Sequence, residues 1–152
     1  MQEQQMTGEI RQITTFRVAD ELFGVDALYV QEIMPYQKIT NVPLAPDFIR
    51  GLINLRGQIV TVLDLRRRLG FDPLEHETDA SNLVIRTSRG QMSILVDDIH
   101  NIVDVRRDKL LPPPGTVRGI AREYIQSVCQ LQDELLIVLD IARAIGNDTT
   151  DE

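Results

Sequence analysis

The feature that most constrains the fold of this chain is an internal repeat. Residues 48–70, FIRGLINLRGQIVTVLDLRRRLG, align without a gap with residues 124–146, YIQSVCQLQDELLIVLDIARAIG, at a constant offset of 76 residues. Most aligned pairs are apolar against apolar, and the identities fall at pattern positions: Ile49/Ile125, Leu55/Leu131, Val62/Val138, Leu63/Leu139, Asp64/Asp140, Arg67/Arg143 and Gly70/Gly146. The chain therefore contains two copies of one structural unit.

The upstream halves of the two units agree more loosely. Residues 13–33 and 83–105 each contain short apolar runs separated by turn residues, such as Ser88-Arg89-Gly90 in the second copy. Such runs are typical of antiparallel β structure. Two small β units predict a mainly β protein of two packed barrels, because closure of a barrel removes exposed sheet edges.

The polar, acidic segment 71–82 separates the two units. We predict a first barrel over residues 10–75 and a second barrel over residues 76–147. The remaining residues, 1–9 and 148–152, are expected to be flexible tails.

Short helices and a buried strand complete the predicted unit. The apolar spacing between Asp47 and Gly57 predicts an amphipathic helix, with the aspartate as its N-cap and the glycine just past its end. The following run, Ile59 to Leu63, predicts a buried strand. We call two residues that align at the offset of 76 repeat mates. Asp64 and its repeat mate Asp140 are each expected to cap one last helical turn.

Composition excludes several classes of protein. A net charge of −7 and an aromatic content of 5% argue against a nucleic-acid or anionic-membrane partner. The first ten residues lack the basic and apolar regions of a signal peptide, and the longest aliphatic run, Leu135 to Leu139, is too short to span a bilayer. A single cysteine precludes an internal disulfide and favours a reducing compartment. We therefore expect a cytoplasmic protein with no membrane insertion.

No arrangement of reactive residues predicts an enzyme. Cys129 aligns with Ile53 across the repeat, which favours core packing over a nucleophilic role. His76 and His100 have no metal-ligand spacing, so no metal or cofactor is predicted.

Two clusters of charged residues are also interpreted without a catalytic or phosphate-binding role. The pair Asp97-Asp98 has no visible partner to shift a carboxyl pKa, so loop or capping roles are expected. The basic run at residues 65–69 is expected to be a solvated helical face rather than a phosphate site. No catalytic residue is predicted.

Arg56 and Gly57 differ from these clusters because only one copy of the repeat has them. Their mates are Gln132 and Asp133, so the architecture does not require Arg-Gly at this corner. One interpretation is a cation that complements the dipole at a helix C-terminus. The other is a recognition surface for a partner.

Nearly the whole chain resembles the CheW family, the coupling proteins of bacterial chemotaxis. The resemblance is carried by FGVDALYVQEI (23–33), by FIRGLINLRGQIV with VLDLR (48–66), by LVDDIHNIV (95–103) and by LLIVLDIARAI (135–145). The NLRG segment followed by VLDLR is its most specific part. The sequence departs from the family at Thr61, usually Pro, and at Asp98, often Gly. The resemblance implies two packed five-stranded SH3-like barrels, between which terminal strands can cross.

The resemblance also implies an adaptor that joins the helical-hairpin tips of chemoreceptors to the histidine kinase CheA, whose regulatory domain has the same fold. Other CheW copies are a further class of partner. The matching receptor-binding positions are Val30, Glu32, Arg50, Gly51, Arg56, Gly57 and Ile102, and Glu32 and Arg56 are expected to pair across the rim of the surface. The kinase-binding candidates are Ile39, Val42 and Leu44.

Two alternatives remain at this point. The chain is also compatible with the CheW-like module of a CheV-type adaptor, although 152 residues leave no room for the phospho-receiver domain that such an adaptor carries. A double-barrel nucleic-acid-binding protein has a similar architecture, but the acidic charge and the scarcity of aromatic residues argue against it.

Overall fold

The computed structural model describes residues 9–115, 117 and 119–146, so the predicted tails lie outside the described residues apart from Glu9. Within these residues the chain is mainly β, with two short α-helices. The elements in order are β1 Ile10–Val18, β2 Glu21–Asp26, β3 Val30–Pro35, β4 Ile49–Leu55, β5 Gln58–Asp64, α1 Leu65–Leu69, β6 Ser81–Thr87, β7 Gly90–Val96, β8 Asp98–Arg106, β9 Ile125–Gln130, β10 Leu135–Leu139 and α2 Ile141–Ala144.

The strands form two five-stranded sheets that exchange hairpins. We call the sheet with the order β3-β6-β7-β5-β4 barrel 1, and the sheet with the order β8-β1-β2-β10-β9 barrel 2. The β1–β2 hairpin of the first repeat lies in barrel 2, and the β6–β7 hairpin of the second repeat lies in barrel 1. The parallel pairs β2 with β10 and β5 with β7 join each exchanged hairpin to its host. Segments 10–75 and 76–147 are therefore repeat units of the chain, and each barrel takes strands from both.

Each sheet is closed by one short bridge at an equivalent place. In barrel 1, Thr40 and Leu52 exchange two backbone hydrogen bonds of 2.8 Å. In barrel 2, Leu111 and Val128 exchange bonds of 2.8 and 2.9 Å. Leu52 and Val128 are repeat mates, so both units solve the sheet-edge problem in the same way.

The apolar core has a shared part and two private parts. The shared cluster contains buried residues of both barrels, with Phe16 and Phe23 stacked from the exchanged hairpin at a ring separation of 6.2 Å. A second cluster lies within barrel 1 around Val62, and a third lies within barrel 2 around Leu136. Burial of one such aliphatic or aromatic side chain stabilises the fold by about 1.5–3 kcal/mol. The shared cluster is thus the main link between the barrels.

The helix predicted between Asp47 and Gly57 is wrong, because these residues contain strand β4. From Gly51 onward, burial alternates along the strand. A register shift between Ile49 and Gly51 adds one residue to the pairing with β5. This bulge places apolar residues on both sides of the strand and so imitates helical spacing in the sequence.

The predicted helix caps are confirmed in both copies. The Asp64 carboxylate accepts a hydrogen bond from the Arg66 N–H at 3.0 Å, and the Asp140 carboxylate accepts one from the Arg143 N–H at 3.2 Å. Gly70 ends α1 with a φ of +91°, a conformation that glycine adopts without strain.

Candidate partner-binding surface

Arg56 and Gly57 form the two-residue turn between β4 and β5. Leu55 pairs with Gln58, and the two turn residues have φ values of +54° and +86°. Positive φ at both positions is the conformation of a type I′ hairpin turn. The Asn54 side chain accepts the Gly57 N–H at 2.9 Å. No helix ends here, so the proposed role of Arg56 at a helix terminus is wrong.

The side chain of Arg56 is held by Glu32 on β3. Arg56 Nη1 donates to Glu32 Oε1 at 2.7 Å, and Nη2 donates to Oε2, so the pair is bidentate. The guanidinium remains 68% exposed, whereas the carboxylate is 23% exposed. Hydrogen bonding to Arg56 lowers the pKa of Glu32 below its usual range. The predicted pairing of these two residues is confirmed, and it orients an exposed cation.

The equivalent turn of barrel 2 has a different character. Leu131 N–H bonds to the Glu134 carbonyl at 2.9 Å, so the hairpin closes at the same point. Neither Gln132 nor Asp133 has a positive φ. The strained arginine turn thus belongs to barrel 1 alone.

Arg50 forms part of an internal clamp. It donates to Glu77 through Nε at 2.5 Å and Nη2 at 2.8 Å, and to Asn41 through Nη1 at 2.8 Å. Tyr36 adds a hydroxyl bond to the same glutamate at 3.3 Å. Glu77 lies in the segment between the repeat units, so Arg50 fastens that segment to barrel 1.

Gly51 is buried, and its lack of a side chain serves the closure of the barrel. A Cβ atom on Gly51 would lie 2.2 Å from the Thr40 carbonyl oxygen and 2.6 Å from Ile39 Cγ2. The space next to Gly51 is therefore filled by residues 39 and 40 of this chain. By contrast, a Cβ atom on Gly57 would meet nothing within 4 Å, so the surface beside Arg56 is open.

The two apolar receptor-binding candidates lie in different barrels. Val30 is half-buried in barrel 1 and packs against the shared core cluster. Ile102 lies on β8 of barrel 2 opposite Thr14, and it is 55% exposed. The sequence candidates therefore span both barrels.

The kinase-binding candidates lie on the segment between β3 and β4. Ile39 packs against the private cluster of barrel 1, and Val42 is partly exposed. Leu44 is fully exposed and has a φ of +64°, directly after Pro43. Leucine rarely adopts this left-handed conformation, so the backbone at Leu44 is strained. The sequence alone did not predict this strain.

The basic run in α1 is largely committed to internal contacts, so the predicted solvated face is wrong for Arg66 and Arg68. Arg66 binds Asp97 through two hydrogen bonds of 2.9 and 2.7 Å, and Asp97 also accepts the Ala19 N–H at 2.8 Å. Asp97 therefore has the partner that sequence reasoning missed.

Arg68 joins the two repeat units. Its guanidinium carbon lies 4.1 Å from the ring centroid of Phe48 and 5.1 Å from that of Tyr124, which are repeat mates. Its Nε donates to the carbonyl of Ala144 at 2.7 Å. Ala144 is the repeat mate of Arg68 itself, so this contact also exists in one copy only.

Cys129 and Asp64 are reactive side chains that lie in the interior of the fold. Cys129 is buried as predicted, and burial raises the pKa of its thiol. Burial also raises the pKa of Asp64, although the hydrogen bonds that its carboxylate accepts from backbone N–H groups act to lower it. Among the described residues no group of three or more His, Cys, Asp or Glu side chains is placed to hold a metal ion. No helix in the described part of the chain is long and apolar enough to cross a membrane.

Comparison with known proteins agrees with this architecture. A family model described as the CheW-like domain matches residues 12–148. The chain is 31% identical over 140 residues to the chemotaxis protein CheW of Treponema pallidum (strain Nichols), covering 90% of this chain and 82% of the relative. It is 29% identical over 133 residues to CheW of Klebsiella aerogenes, covering 88% and 80%.

A solved structure shares the fold. The scaffolding protein TtCheW from Thermoanaerobacter tengcongensis has a TM-score of 0.79 and 28% identity, covering 86% of this chain and 88% of that one. The predicted architecture of two five-stranded SH3-like barrels is confirmed. The chain belongs to the CheW family of chemotaxis adaptor and scaffold proteins.

Proposed function

We propose that this adaptor bridges the cytoplasmic tips of chemoreceptors to the regulatory domain of CheA. It works in the cytoplasm and reaches the receptor arrays through its partners. It acts by binding alone: a change in array geometry alters kinase activity, and this chain performs no chemical step. Membership of the family supports the scaffold role, and the surface of barrel 1 supports the receptor contact.

The Arg56 turn is the single observation that carries the receptor contact. Its cation is exposed, held in place by Glu32 and absent from the equivalent corner of barrel 2. An exposed ion pair contributes little to stability because solvent screens it, so fold stability does not account for this pair. Orientation of a cation toward a partner does.

The receptor tip is expected to dock as a helical hairpin. Such docking needs an apolar surface on which the helices pack and a few polar side chains that fix their orientation. Val30 and Ile102 supply apolar surface, while Arg56 and Gly57 supply a cation beside open space. Arg50 and Gly51 contribute to this surface indirectly, because they hold in place strand β4, which ends at the turn.

The kinase contact is proposed at the opposite loop of barrel 1. Leu44 is the strongest candidate there, since it is fully exposed at a strained position. Exposed apolar anchors of this kind dominate binding when they fill a pocket of the partner. Val42 extends the same surface, and Ile39 supports it from below.

The test uses two separate baits, a receptor tip and a CheA regulatory domain, titrated against the wild-type chain and Arg56→Glu. We expect both baits to bind the wild type. Arg56→Glu should weaken binding of the receptor tip by about tenfold or more, which corresponds to about 1.4 kcal/mol, and leave binding of the regulatory domain unchanged.

Arg89→Glu is the matched control, because Arg89 is an exposed arginine in the two-residue turn between β6 and β7. It changes the net charge equally and should leave receptor binding intact. Wild-type failure to bind either bait would refute the proposed function. Equal losses for the two variants would show that only net charge matters and would remove Arg56 from the site.

A further inference from the structure

The two repeat units form two clefts at equivalent places. The linker cleft is lined by Arg50 and Asp64, among other residues. The open cleft is lined by their repeat mates Gln126 and Asp140. The same architectural site therefore occurs twice, and the two copies differ in what fills them.

The linker cleft is filled by the segment between the repeat units. Leu74 of this segment packs against the private cluster of barrel 1. Glu77 follows three residues later and takes its hydrogen bonds from Arg50 and Tyr36. The occupant is a short stretch in which an apolar side chain, that of Leu74, precedes a carboxylate at the start of a 3₁₀ turn, that of Glu77. A cavity of about 220 Å³ remains beside it.

The open cleft is larger, with a volume of about 470 Å³. Its floor contains the buried side chains of Leu139, Ile141 and Ile145. In the described part of the chain, α2 and one short turn follow β10, so no segment comparable to 73–77 lies across this floor.

The rim of the open cleft carries an arginine and a tyrosine, which are the same two residue types that bind Glu77 in the linker cleft. Arg86 supplies an exposed guanidinium, and it makes no hydrogen bond or ion pair with any described residue. Tyr29 supplies a phenol at 47% exposure. A second guanidinium, that of Arg11, is paired with Asp26 at 3.4 Å. Arg86 is therefore the group available to a carboxylate.

We propose that the open cleft binds a short peptide segment of a partner protein in which an apolar side chain precedes a carboxylate by three residues. The apolar side chain packs on the floor at Ile141 and Ile145. The carboxylate accepts charge-assisted hydrogen bonds from Arg86 and a hydroxyl bond from Tyr29. None of these residues belongs to the receptor or kinase candidates, so the open cleft is a third partner surface.

The test uses the linker of this chain as its probe. A fluorescein-labelled peptide of residues 71–79 is titrated into the full chain and followed by fluorescence polarisation. We expect saturable binding that weakens at least about tenfold with Arg86→Glu in the protein or Glu77→Gln in the peptide, because either change removes the charged hydrogen bond. Arg89→Glu, which alters the same hairpin and the same net charge, should bind as the wild type does.

Several outcomes would overturn the proposal. One is the absence of saturable binding. Another is binding that Arg86→Glu leaves unchanged, which would place the peptide elsewhere, for example in the linker cleft. Binding that requires removal of the residues after Gly146 would assign the cleft to this chain's own last residues. An Arg86-dependent dimer in sedimentation would assign it to a second copy.

Discussion

Barrels 1 and 2 have the same strand order, the same closing bridge and the same capped helix, yet they differ at one corner. The turn after β4 carries Arg56 in a left-handed conformation and ties it to Glu32. The turn after β9 carries Gln132 and Asp133 without either feature. The residues that both copies keep serve the fold, and Arg56, which only one copy has, is exposed and available to a partner.

The clefts sharpen the same comparison. In barrel 1 the linker fills the cleft and Glu77 satisfies Arg50. In the equivalent cleft the floor is open and Arg86 is exposed. The repeat thus supplies a reference for every position, and substitutions at repeat mates test whether a difference matters.

The largest effect is expected where the mates are Gly51 and Ser127. Gly51→Ala places a Cβ atom against the Thr40 carbonyl oxygen at a φ of +151°, so we expect a loss of about 3 kcal/mol or more in the free energy of unfolding. Ser127→Ala removes a buried hydroxyl that has no partner among the described residues, and it should change stability by less than about 1 kcal/mol. Urea unfolding of both variants measures the contrast. Similar losses would contradict the assignment of Gly51 to barrel closure.

The next effect is expected at Arg68. Arg68→Ala removes the contacts with both aromatic rings and the hydrogen bond to Ala144, so we expect a loss of about 2 kcal/mol in thermal or urea unfolding. Arg68→Lys keeps the charge but not the planar group, and it should recover only part of this loss. Arg67→Ala, on the exposed side of the same helix, is the control. A loss as large for Arg67→Ala would show that helix propensity, not the link between units, is measured.

A smaller effect is expected for exchange of residues at the corner itself. Arg56→Gln installs the residue found in the other copy, and we expect little change in stability while receptor-tip binding weakens several-fold. Gln132→Arg should create no new receptor binding, because the partner glutamate on β3 lies in barrel 1. Binding titrations with circular dichroism check both variants. Gain of receptor binding by Gln132→Arg would show that the two corners are interchangeable.

The smallest effect concerns the cap at Asp64. Because burial raises its pKa, the folded state holds the proton more tightly than the unfolded chain, and this group adds stability as the pH falls through the raised pKa toward about 3.9. Asp64→Asn keeps a capping side chain and removes this component, so the stability of the wild type relative to Asp64→Asn should rise as the pH is lowered. Urea unfolding at pH 7 and in the acid range measures it, with Asp140→Asn at pH 7 as the control for the cap. A difference that falls with acid would reverse the sign of the shift.

The sequence predicted the repeat, the two barrels and the caps because these follow from local patterns that occur twice. It did not predict β4, since a bulge at Ile49 and Gly51 gave that strand a helix-like spacing. The residue pattern also did not predict the hairpin exchange, although the family resemblance implied that terminal strands can cross between the barrels. Either assignment of a hairpin to a barrel buries the same apolar residues, so the pattern alone does not distinguish them.

The site was predicted in part. The pairing of Glu32 with Arg56 followed from a family motif, and it is present. The clamp between Arg50 and Glu77 was missed, because the acidic segment was interpreted only as a linker between the units. A contact between distant segments depends on three-dimensional closure, which neither charge nor periodicity in the sequence encodes.

The hairpin exchange has a consequence for how the molecule comes apart. Removing either repeat unit takes two strands out of one barrel and three out of the other, so neither half of the chain contains a complete sheet. We therefore expect that neither repeat unit folds alone and that both barrels unfold together in a single cooperative transition. For a scaffold, this means that a mechanical force applied at one partner surface is distributed over both barrels.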